Sequence, residues 1–184
     1  MSLSYILFIL ALVIIIGIII CYNQLVRKKN MMKEAWSGID VFLKKRYDLV
    51  PNLVRTVKGY TTHETQLLEK ITVLRTAAMQ STSVNQRIAT ENELGKAISQ
   101  VFVFAENYPD LKANNSFLEL QTQLATIEGE IEMSRRYYNG TVRENNIAVE
   151  SFPANLIARF FKFKTGLFYE IEDKQQRESV NASF

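Results

Sequence analysis

Residues 31–60 read MMKEAWSGIDVFLKKRYDLVPNLVRTVKGY. Met32, Trp36, Ile39 and Leu43 step by four, three and four, and Val50, Leu53, Val57 and Tyr60 resume the same rhythm. Apolar residues at that spacing fall on one face of an α-helix. Arg46 sits on the seam, midway between Leu43 and Val50. Phe42, Tyr47, Leu49 and Val54 widen the stripe to the breadth a bundle core requires. Pro51 lies inside this pattern, where it removes one backbone hydrogen bond, so a kink or a restart is expected there.

Upstream, the first 26 residues carry no charged side chain. Leu3 to Cys21 is a run of 19 residues, eight of them Ile. At about 1.5 Å per residue it is close to the ~30 Å of a bilayer core. A removable signal peptide needs a basic start and small residues at a cleavage site; neither is present. A lipoprotein needs a small residue before its Cys, and Ile18, Ile19 and Ile20 precede Cys21. Residues 1–2 are therefore expected outside, 3–22 across the membrane and 23–169 in the cytoplasm, with 170–184 a polar tail. The first helix is expected to continue from the span to about Tyr60. The orientation rests on Arg27, Lys28, Lys29 and Lys33, which follow the span with nothing basic before it. Residues 27–46 hold seven Lys/Arg against Glu34 and Asp40, so the rest of the chain is net acidic although the whole carries +3. That charge suits an anionic inner leaflet and is no nucleic-acid footprint.

Downstream, helices are predicted over about 62–80, with Leu67, Ile71, Leu74 and Ala78 inward, and 86–108, with Ile88, Leu94, Ile98, Val101, Phe102 and Ala105 inward. Ser81–Asn85 is turn chemistry between them. Ser116-Phe-Leu-Glu119 matches a capping box and opens a fourth helix along Phe117, Leu120, Leu124, Ile127 and Ile131 to about Ser151. Residues 155–162 form a short amphipathic helix. The fold class is all-α: a transmembrane helix continuing into an antiparallel up-and-down four-helix bundle. The first and fourth helices are much longer than the two between them, so an apolar stripe beside the membrane is expected to lack cover.

Candidate sites are few. One His and one Cys exclude a multi-His or Cys-cluster metal site, and no cofactor motif is present. His63-Glu64 is read as helix-terminal surface rather than an acid–base pair, and Glu128, Glu130 and Glu132 as a solvated face. No residue is assigned to catalysis. The polar interruptions of the two long seams are Asp40, Arg46 and Asp48 on the first, and Arg135, Arg136, Tyr138, Asn139 and Arg143 on the fourth. Antiparallel pairing would set Asp40 and Asp48 against Arg143 and Arg135 or Arg136, with Tyr138 and Asn139 completing a buried network, either structural or a ligand site. Phe160, Phe161, Phe163 and Phe168, with Arg159, Lys162 and Lys164, have three readings: cover for the bundle, a seat on the inner leaflet, or contact with another subunit. Arg27, Lys28 and Lys29 join this membrane or partner surface.

Two stretches resemble one family. Ala35-Trp-Ser-Gly-Ile-Asp40-Val, Lys44-Lys-Arg-Tyr-Asp-Leu-Val-Pro-Asn52-Leu-Val, Val57-Lys-Gly-Tyr60 and His63-Glu64 resemble the first helix of LemA-family proteins. Arg135-Arg-Tyr-Tyr-Asn139, Val142-Arg143, Asn145 and Ser151-Phe-Pro-Ala-Asn155-Leu-Ile-Ala158 resemble its last helix. The chain differs at Glu144-Asn145-Asn146, where the family often has a second Tyr-Asn pair, and in its tail. The resemblance implies a bacterial single-pass inner-membrane protein with a cytoplasmic antiparallel bundle, and no established reaction or cofactor. The expected function is a non-enzymatic scaffold that meets lipid, further copies of itself, or another membrane or envelope protein, with no nucleic-acid partner. An enzyme using the Asp/Arg/Tyr network and a membrane-remodelling role for the C-terminal aromatics are the alternatives.

Overall fold

The computed structural model describes residues 3–61 and 64–169. The described residues are helical, without strands. They form α1 (Leu3–Lys58), α2 (Thr65–Gln80), α3 (Val84–Ala105), α4 (Pro109–Lys112), α5 (Asn115–Glu150) and α6 (Ala154–Phe160). His63 and the tail from residue 170 lie outside the described residues.

Helix α1 runs for 56 residues with Pro51 inside it, so the expected restart does not occur. Proline at 51 leaves the Tyr47 carbonyl without its helical donor. Arg75 of α2 supplies one: its Nε donates to that carbonyl at 2.7 Å. The apolar stretch of α1 is long enough to cross a membrane, and none of it is buried by the protein. The fold thus makes no core use of residues that no aqueous surface would keep exposed in such a run.

The chain divides into two compact units. The first comprises Met1–Val41 and Glu132–Phe168. Here α1 and α5 meet in opposite directions, Lys28 against Glu144 and Trp36 against Tyr138. Leu25, Ala35, Ile39, Tyr138, Val142 and Ala158 are its buried apolar residues, and Thr141 and Asn145 its buried polar ones. The stripe that the sequence leaves uncovered does have an intramolecular cover. Tyr138 donates its hydroxyl to the Leu167 carbonyl at 3.0 Å, and Asn145 Nδ2 donates to the Lys164 carbonyl at 3.2 Å. Asn146 pairs with both backbone groups of Gly166, accepting its N–H at 2.7 Å and donating to its carbonyl at 3.1 Å. Three side chains of α5 thus hold the segment after α6 in place of a further helix. Gly166 passes close to α1: a Cβ there would meet Met32 Sδ, the far end of a flexible side chain that would have to move aside.

The second unit comprises Phe42–Ile131 and Tyr169–Phe184. Helices α2 and α3 pack against each other. The reading of α2 shifts by one residue, since Leu68, not Leu67, is buried beside Ile71 and Ala78. The inward set of α3 is as expected except that Phe102 is half-buried, and it gains Ala97 and Glu91. Ser83 caps α3 by accepting the Gln86 N–H at 3.2 Å. The capping box at Ser116 is not the start of α5; Asn114 accepts the Phe117 N–H at 3.0 Å instead. α3 ends at Ala105, short of the expected 108, and Pro109 opens the short helix α4, which the sequence pattern does not show.

Candidate functional site

The first unit places the aromatic–basic segment next to the end of the apolar stretch. Tyr22, one residue past Cys21, has its ring 4.8 Å from that of Phe161 and 5.7 Å from that of Phe163, both edge-to-face. Lys29 Nζ lies 5.6 Å above the Phe163 ring. These contacts tie the end of α6 to the first turns beyond the candidate span. The remaining apolar side chains point away from the protein: Phe160 is 79 % exposed, Phe152 81 %, and Leu156, Leu167 and Phe168 are exposed as well. Arg159, Lys162 and Lys164 are interspersed and exposed. The residues that the sequence pattern groups together divide by exposure. Phe163 is half-buried as cover, whereas Phe160 and Phe161 form an open surface.

Helix α6 ends in a turn of specific geometry. Lys162 has φ of 57°, Lys162 N–H donates to the Arg159 carbonyl at 3.3 Å, and Phe163 N–H donates to the Ala158 carbonyl at 2.9 Å. This is the Schellman closure, with lysine in the left-handed position that glycine fills at least cost. It turns Phe163 back toward Tyr22 while Phe160 stays outward.

Beside this surface, Lys28 forms an ion pair with Glu144. The hydrogen bond and charge of Lys28 hold the Glu144 carboxyl below the usual glutamate range. Arg27 and Lys29 are exposed.

The second unit contains a buried charge cluster. Arg46 and Glu91 are fully buried and paired, and Tyr47 donates its hydroxyl to the other Glu91 oxygen. Arg46 Nη1 reaches Glu128 at 2.7 Å. Burial alone would lower the Arg46 pKa, but the carboxylates of Glu128 and Glu91 outweigh it and raise it, so the guanidinium stays charged. Gly95 flanks the group; a Cβ there would lie 3.5 Å from Arg46 Nη1.

The polar network expected from the sequence is differently arranged. Asp48 is exposed and pairs with Lys44 on its own helix at 2.7 Å. Arg136 is exposed and pairs with Glu132 at 3.5 Å, and Arg143 is exposed. Asp40, Arg135 and Asn139 are half-buried, and each has a polar or electrostatic contact. Tyr138 is buried, which raises its pKa, and its hydroxyl serves the Leu167 carbonyl. Glu128 is only partly solvated: its side chain, 37 % exposed, turns one oxygen to Arg46. Glu91 escapes the sequence reading altogether. Its signal was available: it lies three residues from both Ile88 and Leu94 on the inward face of α3, as Arg46 lies on the inward face of α1.

The described residues define an all-helical protein with, among them, one helix long and apolar enough to span a membrane and an exposed aromatic–basic face at the end of that stretch. The model of the LemA family matches residues 35–184, and the chain belongs to the LemA family. It is 29 % identical over 142 residues to Protein LemA of Metamycoplasma hominis, covering 74 % of this chain and 63 % of that protein. It is 19 % identical over 175 residues to the magnetosome proteins MamQ 2 and MamQ 1 of Paramagnetospirillum magneticum, covering 81 % of this chain and 64 % of each. The chain therefore spans less than two thirds of the length of these relatives.

Proposed function

We propose that this protein is a membrane-anchored, non-enzymatic helical scaffold. Residues 3–22 cross the bacterial inner membrane, the helices beyond form a four-helix bundle in the cytoplasm, and the α6 surface rests on the inner leaflet. The observation that carries this reading is the packing of Phe161 and Phe163 on Tyr22, immediately after the apolar run. With residues 3–22 in the bilayer, this packing would set the exposed Phe160, Phe152 and Leu156 near membrane level, with cations beside them. Aromatic and basic side chains in that combination suit the headgroup region. Two attachments, a span and an interfacial face, fix the orientation of the domain, and tethering raises the local concentration of neighbouring copies or of another membrane protein. The non-enzymatic reading is supported by the partners of the polar residues. Asp48 and Arg136 make intrahelical surface pairs, and Tyr138 holds a backbone carbonyl.

The test uses full-length protein in anionic vesicles. A Phe160→Trp variant with Trp36→Phe is expected to be quenched by spin-labelled lipid at headgroup depth. Quenching only by an aqueous quencher would overturn the membrane seat. Detergent-solubilised protein is expected to be oligomeric and to lose that state in Phe160→Glu with Phe161→Glu. A monodisperse monomer at micromolar concentration on light scattering would remove the assembly role.

A further inference from the structure

Within the first unit, α1 from Gly17 to Lys28, α5 from Glu144 to Ala148, and the segment Ser151, Phe152, Pro153 and Ala154 after it line a cleft of about 540 Å³. That volume is in the range of sites that hold a small amphiphile, roughly 300–1,000 Å³. Its walls are graded. Gly17, Ile20, Cys21, Leu25, Ile147 and Ala148 make it apolar along most of its length, and its two charges, Lys28 and Glu144, belong to one ion pair. From Gly17 to Lys28 the helix rises about 16 Å. The Gly17 end therefore lies inside the run that ends at Cys21, and the Lys28 end lies about two turns beyond it. Gly17 lines the deep end without a side chain, and a Cβ there would meet nothing within 4 Å.

The occupant must be apolar at one end, carry both signs of charge at the other, and enter from within the bilayer. We propose that the cleft holds an acyl chain of a zwitterionic aminophospholipid, its phosphate diester on Lys28 Nζ and its ammonium on the Glu144 carboxylate. The inference rests on residues 3–21 lying in the membrane. Charge complementarity selects this lipid class. An anionic headgroup would face Glu144 as a like charge, and a quaternary ammonium would offer its carboxylate no N–H donor. Lys28 and Glu144 are both solvent-accessible, 34 % and 50 % exposed, so each can exchange its present partner for the opposite charge of the headgroup. The exchange leaves neither charge unpaired.

The experiment is native mass spectrometry of the full-length protein in mild detergent, titrated with phosphatidylethanolamine, phosphatidylcholine and phosphatidylglycerol of identical chains. One phosphatidylethanolamine is expected to be retained about fivefold over either of the others, the range of one accessible ionic contact. Gly17→Leu, which adds bulk to a wall of the deep end, is expected to lower retention of all three. Glu144→Gln is expected to erase the preference over phosphatidylcholine. Equal retention of the three lipids by the wild type, or an unchanged Gly17→Leu, would overturn the proposal. So would a Gly17→Leu variant that loses dimers but not lipid, since the cleft would then seat a helix of a second copy. Carbonate extraction of cell membranes separates this from the membrane anchor. Protein that resists extraction yet shows no headgroup preference defeats the cleft alone, and protein that is extracted defeats both.

Discussion

Arg75 donates its Nε to the carbonyl of Tyr47, the one carbonyl that Pro51 deprives of its helical hydrogen bond. A long helix containing proline ordinarily bends or breaks there because a buried carbonyl is left unsatisfied. A side chain from α2 takes the place of the missing N–H.

This predicts a specific coupling. Arg75→Met should cost about 1–2 kcal/mol, the cost of stranding a partly buried acceptor. In a Pro51→Ala background the backbone N–H restored at that position can serve the Tyr47 carbonyl, and the same change should cost markedly less. Chemical denaturation of the four proteins gives the coupling directly, and additive effects would contradict the assignment.

The Arg46–Glu91 pair should respond asymmetrically to single and double removal. Arg46→Met alone leaves Glu91 buried without its cation and should destabilise by about 3–5 kcal/mol. Arg46→Met with Glu91→Leu removes both charges and should recover most of that loss, as apolar replacements of buried pairs commonly do. Thermal unfolding followed by circular dichroism measures both.

Glu144 supplies a pH signature. Its pKa is lowered in the folded protein by Lys28, so its contribution to stability is present above the unfolded carboxylate value. It is lost as the pH falls through the lowered folded value. Wild type and Glu144→Gln should therefore differ in melting temperature at neutral pH and converge under acid, and added salt should narrow the difference at neutral pH. A pH-independent difference would show that packing, not charge, is responsible.

Gly166→Ala is expected to be accommodated by Met32. The new Cβ meets Met32 Sδ, the far end of a flexible side chain, with Val142 Cγ1 3.4 Å away, and a rotamer change there should cost at most about 1 kcal/mol. Met32→Ala should relieve the clash, so the double variant should be more stable than the sum of the single changes indicates.

Lys162 is the reverse case. Its φ of 57° places a side-chain-bearing residue where glycine is the less strained choice. Lys162→Gly should stabilise the turn by up to about 1 kcal/mol while leaving Phe163 against Tyr22. A loss of stability would mean that the lysine side chain does more for the fold than its backbone costs.

The apolar run 3–21, the four-three seam of α1 from Met32 to Val57 and the seam of α3 could each be read locally, because each depends only on the period of the helix; Tyr60 lies past the end of α1 and is exposed. The same reading located Arg46 as an interruption and grouped Phe160, Phe161 and Phe163. It misassigned the start of α5 by two residues, because Asn114 and Ser116 are both competent caps and only the path of the chain selects between them. It also missed the Asn145–Asn146 latch, since asparagine on a polar helix face carries no signature of the backbone it will meet.

Sequence alone determined that this chain is helical, that one stretch is too apolar to face water, and that cations follow it, because those properties depend on neighbours a few residues apart. Only the tertiary structure decided that Arg46 meets Glu91 and Glu128, that Arg75 serves the carbonyl orphaned by Pro51, and that the segment through Gly166 covers the long helices in place of a further helix. Those partners are 28 to 134 residues apart in the chain. Charge, donor and acceptor types restrict such meetings but do not choose among them; the packing of α2, α3 and α5 makes the choice.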